Sequence, residues 1–308
     1  MNTFTPTLKA IAIPGAFLLT MMLVSQAHAE EYAKSYTVTG PATVRVKVDD
    51  SSVHVVTSDS DQVEFRVTSQ GFSAIEIGGK LHIDSHQSGN DVELTVRLAS
   101  RLMIGFSNKR LSTEVRMPKH ADLQIETSDG RVELADLNGN ITVHTSDGAI
   151  RASKLSGTID LRTSDGEITA DTLIGTFKLH SADGKINATG LDGKCDISSS
   201  DGSIHAAGRF DSLDLKSSDG PVTARAEPGS KLASMWSIAT KDGRVDVDIP
   251  KDLQANLDAS TGDGHITLGL PVSMQGDIGK KSVHGAINGG GQTLFIHTGD
   301  GSIRLNGI

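Results

Sequence analysis

Six aspartates recur along the middle of the chain at a spacing that would place their carboxylates side by side. Each is followed by glycine, and five intervals of eighteen residues separate the six Asp-Gly pairs. The pairs are Asp129, Gly130, Asp147, Gly148, Asp165, Gly166, Asp183, Gly184, Asp201, Gly202, Asp219 and Gly220. A row of carboxylates about 4.8 Å apart, the spacing of neighbouring strands, could bind cations such as calcium.

The residues around these pairs favour a structural turn over a calcium site. Calcium-binding β-rolls repeat Gly-Gly-x-Gly-x-Asp, a motif that this chain lacks. Asp side chains accept backbone N–H groups in turns, and glycine supplies a positive φ. We therefore predict that all twelve residues are structural turns, with weak cation binding as the open alternative.

The other reactive side chains do not indicate a catalytic site. The single cysteine, Cys195, falls in an apolar column and is predicted to be buried and inert. His144 and His180 share an outward column but lie two coils apart, roughly 9.6 Å, which is too far for one metal ion. No Gly-x-Ser-x-Gly motif indicates a nucleophilic serine. We predict no catalytic residue, no metal and no cofactor.

Charge and composition limit the possible partners. The formal net charge is -9, aromatic residues make up 4% of the chain, and there are 33 glycines but 8 prolines. An acidic chain is a poor ligand for nucleic acid or for anionic lipid. A basic patch at Lys109, Arg110, Arg116 and Lys119 is interpreted as a solvated face.

Five columns of apolar residues share the eighteen-residue period and indicate the fold. They are Val132, Ile150, Ile168, Ile186, Ile204 and Val222; Leu134, Ala152, Ala170, Ala188, Ala206 and Ala224; Leu137, Leu155, Leu173, Leu191 and then Phe210; Ile141, Ile159, Phe177, Cys195 and Leu213; Val143, Leu161, Leu179, Ile197 and Leu215. A row of hairpins would leave one long apolar face uncovered, whereas a coil stacked on itself encloses all five columns. The sequence therefore predicts an all-β protein, a single parallel β-solenoid with an 18-residue coil.

The regular coils are predicted over about residues 113–220, with irregular coils at both ends. Residues 36–110 alternate apolar and polar side chains without the fixed period. Residues 230–308 keep Asp-Gly corners at longer intervals. No Pro/Ser-rich linker interrupts the chain, so residues 30–308 are predicted to form one domain.

Residues 1–29 are typical of a secretory signal peptide. Lys9 supplies the positive start, an apolar run extends from Ala10 to Val24, and Ala27-His28-Ala29 is an A-x-A cleavage site. The apolar run is short for a membrane span. Cleavage would leave a chain beginning at Glu30, one unit more negative, that is periplasmic or secreted and not inserted in the membrane.

Three segments resemble a known family: "MPKHADLQIETSDGRVEL", "IPKDLQANLDASTGDGHITL" and "INGGGQTLFIHTGDGSIRL". They are similar to the bacterial β-strand-repeat proteins described as putative adhesins. The resemblance implies a parallel β-solenoid on the outer side of the cytoplasmic membrane, and it transfers no catalytic residues.

We therefore expect an exported, non-enzymatic β-solenoid with a structural or adhesive role in the cell envelope. Its polar faces would contact an envelope protein or polysaccharide. Two alternatives stay open. One is a carbohydrate-active β-helix enzyme, and the other is a scaffold that assembles end to end through its terminal strands.

Overall fold

The structure is a computed structural model that describes residues 30–70, 81–98, 110–274 and 281–308. These residues form strands and turns. The strands are β1 (Glu30–Thr37), β2 (Ala42–Val48), β3 (Ser52–Ser58), β4 (Gln62–Gln70), β5 (Leu81–Ser88), β6 (Asp91–Leu98), β7 (Arg110–Pro118), β8 (Ala121–Thr127), β9 (Val132–Ala135), β10 (Asn138–Thr145), β11 (Ile150–Thr163), β12 (Ile168–Ser181), β13 (Ile186–Ser199), β14 (Ile204–Ser217), β15 (Val222–Ala226), β16 (Trp236–Thr240), β17 (Val245–Ile249), β18 (Ala255–Thr261), β19 (Ile266–Gly269), β20 (Ser273–Met274), β21 (Ser282–Ile287), β22 (Thr293–Thr298) and β23 (Ile303–Gly307).

The Asp-Gly corners connect parallel strands rather than the two arms of hairpins. Strand β10, before the Asp147-Gly148 corner, pairs in parallel with β11, which follows it. Further along, Ile150 pairs with Ile168, and Ile168 pairs with Ile186. Each side chain thus lies against its equivalent in the next strand, as the apolar columns predicted.

Two rows of strands enclose the core. Face A runs in the order β5, β6, β2, β8, β10, the C-terminal halves of β11 to β14, β16, β22, β18, β21 and β20. Face B runs in the order β1, β4, β7, β3, β9, the N-terminal halves of β11 to β14, β15, β17, β23 and β19. Inward side chains of both faces form one hydrophobic cluster, and alternate side chains point to solvent.

All five predicted columns are buried in this cluster. Among the central strands, the pairing register shifts only between β13 and β14, once before Leu191, which pairs with Gly208, and again before Lys194, which pairs with Ser212, so that β14 is displaced by one residue between these two points. This shift lets Phe210 enter the core, where its ring meets Trp236 edge-on at 6.1 Å between centroids. The predicted replacement of the leucine column by Phe210 is confirmed.

The prediction of a parallel array is wrong at both ends. Strands β1, β4 and β5 at one end, and β20 and β21 at the other, pair antiparallel. Antiparallel neighbours can be joined by a tight turn, as β5 and β6 are through the turn at residues 89–90. The eighteen-residue period is absent from these segments, and no other pattern in them indicates the direction of their strands.

Two tyrosines close the N-terminal end of the core. The hydroxyls of Tyr32 and Tyr36, on β1 of face B, each lie 2.6 Å from Oγ of Ser85, on β5 of face A. Both tyrosines pack against the hydrophobic cluster. The first strands of the two faces are therefore joined across the end of the array.

Across the parts of the chain that the structure describes, no helix has the length and apolar character needed to cross a membrane. The predicted signal peptide, residues 1–29, lies outside the described residues.

Candidate functional site: corners and polar faces

A hydroxyl group organises each Asp-Gly corner. Oγ1 of Thr163 accepts the N–H of Gly166 at 3.0 Å and lies 3.0 Å from the carbonyl oxygen of Ser146, to which it donates. A Thr or Ser hydroxyl accepts the corner glycine N–H in the same way at Thr145, Ser181, Ser199, Ser217, Thr240, Thr261 and Thr298. Each hydroxyl thus joins its own turn to a neighbouring one. The Thr/Ser-x-Asp-Gly pattern is visible in the sequence, but sequence reasoning assigned the hydrogen bonds of the turn to the aspartates and missed the role of the hydroxyls.

Glycine is required at these corners because the backbones of neighbouring corners are in contact and leave no space for a side chain. A Cβ built on Gly166 would overlap the carbonyl oxygen of Gly148 and would lie 2.6 Å from its carbonyl carbon. The other five predicted corner glycines have equally close neighbours. The predicted positive φ at these positions is wrong, since none of the six glycines has one. Close approach of two backbones excludes a side chain whatever the φ.

The six aspartate side chains point to solvent. All are exposed, and their carboxylates make no hydrogen bond or ion pair with the described residues. The contact from Asp165 to the preceding turn is made by its backbone N–H, 3.0 Å from the carbonyl oxygen of Ser146. The prediction that these carboxylates accept backbone N–H groups is therefore wrong. Backbone and hydroxyl groups therefore supply the corner's bonds. Among the described residues, no group of three or more His, Cys, Asp or Glu side chains is placed to hold a metal ion.

Positive φ angles occur instead at the opposite corner. One column there has left-handed residues: Asp136 at 56°, Lys154 at 52°, Thr172 at 58° and Gly190 at 62°. Three residues after Lys154, Gly157 has a φ of 116°. Left-handed backbone is uncommon for non-glycine residues and unfavourable for a β-branched one, so Thr172 is strained.

Cys195 is 3% exposed and lies in the core. Burial raises the pKa of its thiol well above the usual value, and the nearby charges of Asp196 and Asp214 raise it further. Because the thiolate is the reactive form, this environment makes the thiol inert. The prediction of a buried cysteine is confirmed.

His144 and His180, which the sequence places two coils apart, are separated by one strand in the structure. His144 and His180 both pair with Arg162, which lies between them on face A. Nδ1 of His180 lies 2.9 Å from Oγ of Ser198. The two imidazoles therefore belong to a mixed row of polar side chains.

The residues of the predicted basic patch have different local partners. Nζ of Lys119 lies 2.9 Å from Asp59, whose hydrogen bond and charge raise the pKa of the lysine. Arg116 lies 3.6 Å from Glu114. Lys109 lies outside the described residues. Arg110, at the start of β7, lines a shallow hollow of about 480 Å³ together with hydroxyl and carboxylate side chains of neighbouring strands.

Face B has a line of side chains of alternating charge. Nε of Arg66 lies 2.9 Å from Glu31. Further along the same face, Glu133 lies 3.7 Å from His54 and 3.5 Å from Arg151. These pairs are largely exposed, so each contributes about 0–1 kcal/mol to stability. They set the charge pattern of the surface more than they hold the fold.

Face A repeats this pattern on its central strands. Arg162 is paired bidentately with Asp160, with both distances 2.7 Å, and Lys216 lies 2.7 Å from Asp214. The hydrogen bond that each cation donates to its carboxylate partner raises the pKa of the cation. At the corner beside this face, Arg209 pairs with Asp192. Both faces therefore present dense, nearly balanced rows of charge.

This is an all-β, mostly parallel array with an enclosed aliphatic core and two polar faces, the architecture of a β-solenoid-like protein. The chain belongs to the Toastrack DUF4097 family, whose model matches residues 42–306. The match confirms the family resemblance predicted from the repeats. No curated protein matches the sequence.

Three solved structures illustrate the likeness. A putative adhesin of Bacteroides fragilis is 11% identical over 91% of this chain and 97% of its own, with a TM-score of 0.46. A putative lipid binding protein of Parabacteroides distasonis is 12% identical over 91% and 98%, with a TM-score of 0.43. A putative cell adhesion protein of Clostridium sporogenes is 12% identical over 91% and 100%, with a TM-score of 0.26. At these TM-scores the likenesses support no argument about function.

Proposed function

We propose that the protein is an exported, non-enzymatic β-solenoid with a structural or adhesive role in the cell envelope. One observation carries the proposal. Nearly every alternate side chain of the central strands is committed to the core, and the others form two broad polar faces. A surface of this kind offers many weak contacts over a long, ordered area, which suits binding to an extended partner.

The regular part of the solenoid provides the ordered surface. We propose a single domain over residues 30–308, with 18-residue coils over about 113–220. The pairing of Ile150 with Ile168, and of Ile168 with Ile186, supports this coil length. Equivalent positions on successive coils would then present a repeated pattern of polar groups.

The partner is proposed to be an envelope protein or a polysaccharide. Both faces alternate acidic and basic groups, as at Glu133 and Arg151 on face B and at Lys178 and Asp196 on face A. Such alternation gives no broad positive patch of the kind that binds nucleic acid. It suits a partner whose own surface is polar and mixed in charge.

Cell fractionation and binding to isolated envelopes test the proposal together. We expect the protein in the periplasm or medium, with Glu30 at its N-terminus, and we expect it to sediment with purified envelope fragments. Reversing both Arg151 and Lys178 to Glu should weaken this binding, while the loss of their two exposed ion pairs should lower the melting temperature only slightly. A cytoplasmic protein that stays in the supernatant with envelopes would contradict the proposal.

End-to-end self-association is a second candidate, favoured by the terminal strands. Strands β1 and β19 lie at opposite ends of face B, and each pairs with one strand among the described residues. An edge strand offers backbone N–H and C=O groups to a further strand. Light scattering as a function of protein concentration tests it: a constant monomer mass would exclude assembly.

A further inference from the structure

One patch of face A differs from the central part of that face in having a phenyl ring. Phe295 points outward from β22, between Ser237 of β16 and Asp258 of β18. Two residues on, His297 lies between Ala239 and Ser260 on the same strands. We call these six residues the Phe295 platform. By contrast, the outward positions of β10 and of the C-terminal halves of β11 to β13 have hydroxyl, amide, imidazole or charged side chains.

The two rings of the platform lie nearly parallel to each other. The centroids of Phe295 and His297 are 6.1 Å apart and their planes differ by 20°. A contact of 2.9 Å between Nδ1 of His297 and Oγ of Ser260 fixes the imidazole in this orientation. On the other side, Ser237 and Ala239 are short side chains. On this side the rings are therefore bordered by a low shelf; Phe295 itself is half-buried and His297 is exposed.

Hydrogen-bonding groups line the opposite border. Asp258 lies beside Phe295, and its carboxylate is 3.2 Å from Nδ1 of His284 on β21. The two side chains are 42% and 58% exposed, respectively. Carboxylate, hydroxyl and imidazole groups supply both acceptors and donors. The border can thus bind a ligand whose polar groups lie at its edge.

We propose that the Phe295 platform binds a pyranose ring of a neutral polysaccharide. The C–H face of a sugar ring is flat and apolar, so it can cover an aromatic ring and bury apolar area. Its hydroxyls project from the ring edge, where Asp258, Ser260 and His284 can pair with them. The platform contains the carboxylate of Asp258 and neither Lys nor Arg, which disfavours an anionic ligand.

The dimensions favour an oligosaccharide over a single sugar. The platform and its border span the four strands β16, β22, β18 and β21, which at strand spacing is roughly 14 Å. One ring would lie over Phe295, and neighbouring rings would extend along the row of polar side chains. This inference rests on the proposed function and gives its partner a chemical class.

Isothermal titration of the purified protein with maltohexaose, cellohexaose and N-acetylated chitohexaose tests the inference. We expect at least one of these three neutral chains to bind. Phe295→Leu keeps an apolar side chain but removes the ring, and it should weaken binding roughly tenfold, the loss expected when an aromatic contact of about 1.4 kcal/mol is removed. Phe295→Trp enlarges the ring and should preserve or strengthen binding, a result that a folding defect would not produce.

Two further variants separate the platform from the rest of face A. Ser237→Leu fills the shelf without changing either ring and should also weaken binding. Thr176→Ala, on β12 of the same face, should bind as the unmodified protein does. Melting temperatures within a degree or two of each other would establish that all variants are folded.

Two results would overturn the inference: no heat of binding with any of the three chains at millimolar concentration, or equal affinity for the unmodified protein and Phe295→Leu. Envelope sedimentation of Phe295→Leu distinguishes this failure from failure of the proposed function. If sedimentation persists while oligosaccharides do not bind, the platform is wrong and the envelope role stands. If neither form sediments, the proposed function itself fails.

Discussion

Gly166 lies so close to Gly148 that a methyl group on Gly166 would overlap the carbonyl oxygen of Gly148. Neither residue has a positive φ, so the need for glycine is one of space alone. Gly166→Ala should therefore lower the free energy of unfolding by roughly 3 kcal/mol or more, since the two backbones must separate. Urea denaturation followed by circular dichroism measures the loss.

The adjacent aspartate provides the control for that change. The carboxylate of Asp165 is exposed and makes no contact with the described residues. Asp165→Ala should change the free energy of unfolding by less than about 1 kcal/mol. If Asp165→Ala were as damaging as Gly166→Ala, the carboxylate would be part of the corner's support and our description of the corner would be wrong.

The corner hydroxyl is predicted to contribute measurably to stability. Thr163→Val preserves shape but leaves the buried N–H of Gly166 without its acceptor. An unsatisfied buried group costs about 1–3 kcal/mol, and we expect a loss in this range by thermal and urea unfolding. Thr163→Ser retains the hydroxyl, which the chain itself uses at Ser181 and Ser199. Equal losses in the two variants would show that packing, not hydrogen bonding, sets the contribution of this side chain.

Inward and outward positions of β12 should respond differently to a charge. Ile168 is fully buried, whereas Thr169 is half-buried on the outward side. Ile168→Asp should destabilise the protein by about 4 kcal/mol or more, because it buries an unpaired carboxylate. Thr169→Asp should cost less than about 1 kcal/mol. Similar melting temperatures for the two variants would contradict the register of face B.

Backbone strain at Thr172 can be relieved. Its φ of 58° is unfavourable for a β-branched residue. Thr172→Gly should raise the free energy of unfolding by roughly 0.5–1 kcal/mol, since relief of about 1–2 kcal/mol of strain exceeds the cost of glycine's flexibility. The control is Thr169→Gly on the same strand, where φ is not positive and glycine should destabilise. A loss of stability with Thr172→Gly would show that no strain is present there.

The thiol of Cys195 should be unreactive in the folded protein. Burial is the largest cause of its raised pKa, so the thiolate fraction stays low as the pH rises from 7 to 9. We expect a disulfide reagent to label the folded protein slowly across this pH range and the urea-unfolded protein rapidly. Labelling of the folded protein at the rate of a free thiol would place Cys195 outside the core.

The central coils were predictable because the same physical requirement recurs at each of them. Ile150, Ile168 and Ile186 occupy equivalent inward positions, and the period of eighteen is visible in the order of the residues alone. The ends lack such repetition. Nothing in the sequence indicated that Tyr32 and Tyr36 would reach Ser85 across the end of the core, because that contact joins residues about fifty positions apart and occurs once.

The corner chemistry was only partly predictable. Asp-Gly is so strong a turn signal that it masks the Thr or Ser two residues before the aspartate, although hydroxyl-centred turns have a known physical basis. The left-handed corner was harder to see, because Asp136, Lys154 and Thr172 share a backbone conformation but not a residue type. The alternation before Thr298 places Leu294 and Ile296 inward and Phe295 outward, but it does not reveal which strands lie beside β22.

The contact of each corner glycine with the preceding one has a consequence for the gene. If the segment from Gly148 to Asp165 were deleted, Gly166 would meet Gly130 as Gly148 does now, and Thr163 would be replaced by Thr145 in the same role. In-frame loss or duplication of one such segment therefore leaves the contacts between corners chemically equivalent. An insertion of a single residue instead shifts the pairing register, and the chain would have to restore it by a second irregularity, as it does for the local shift between β13 and β14. Descendants of this gene should thus vary in length by whole repeats far more readily than by single codons.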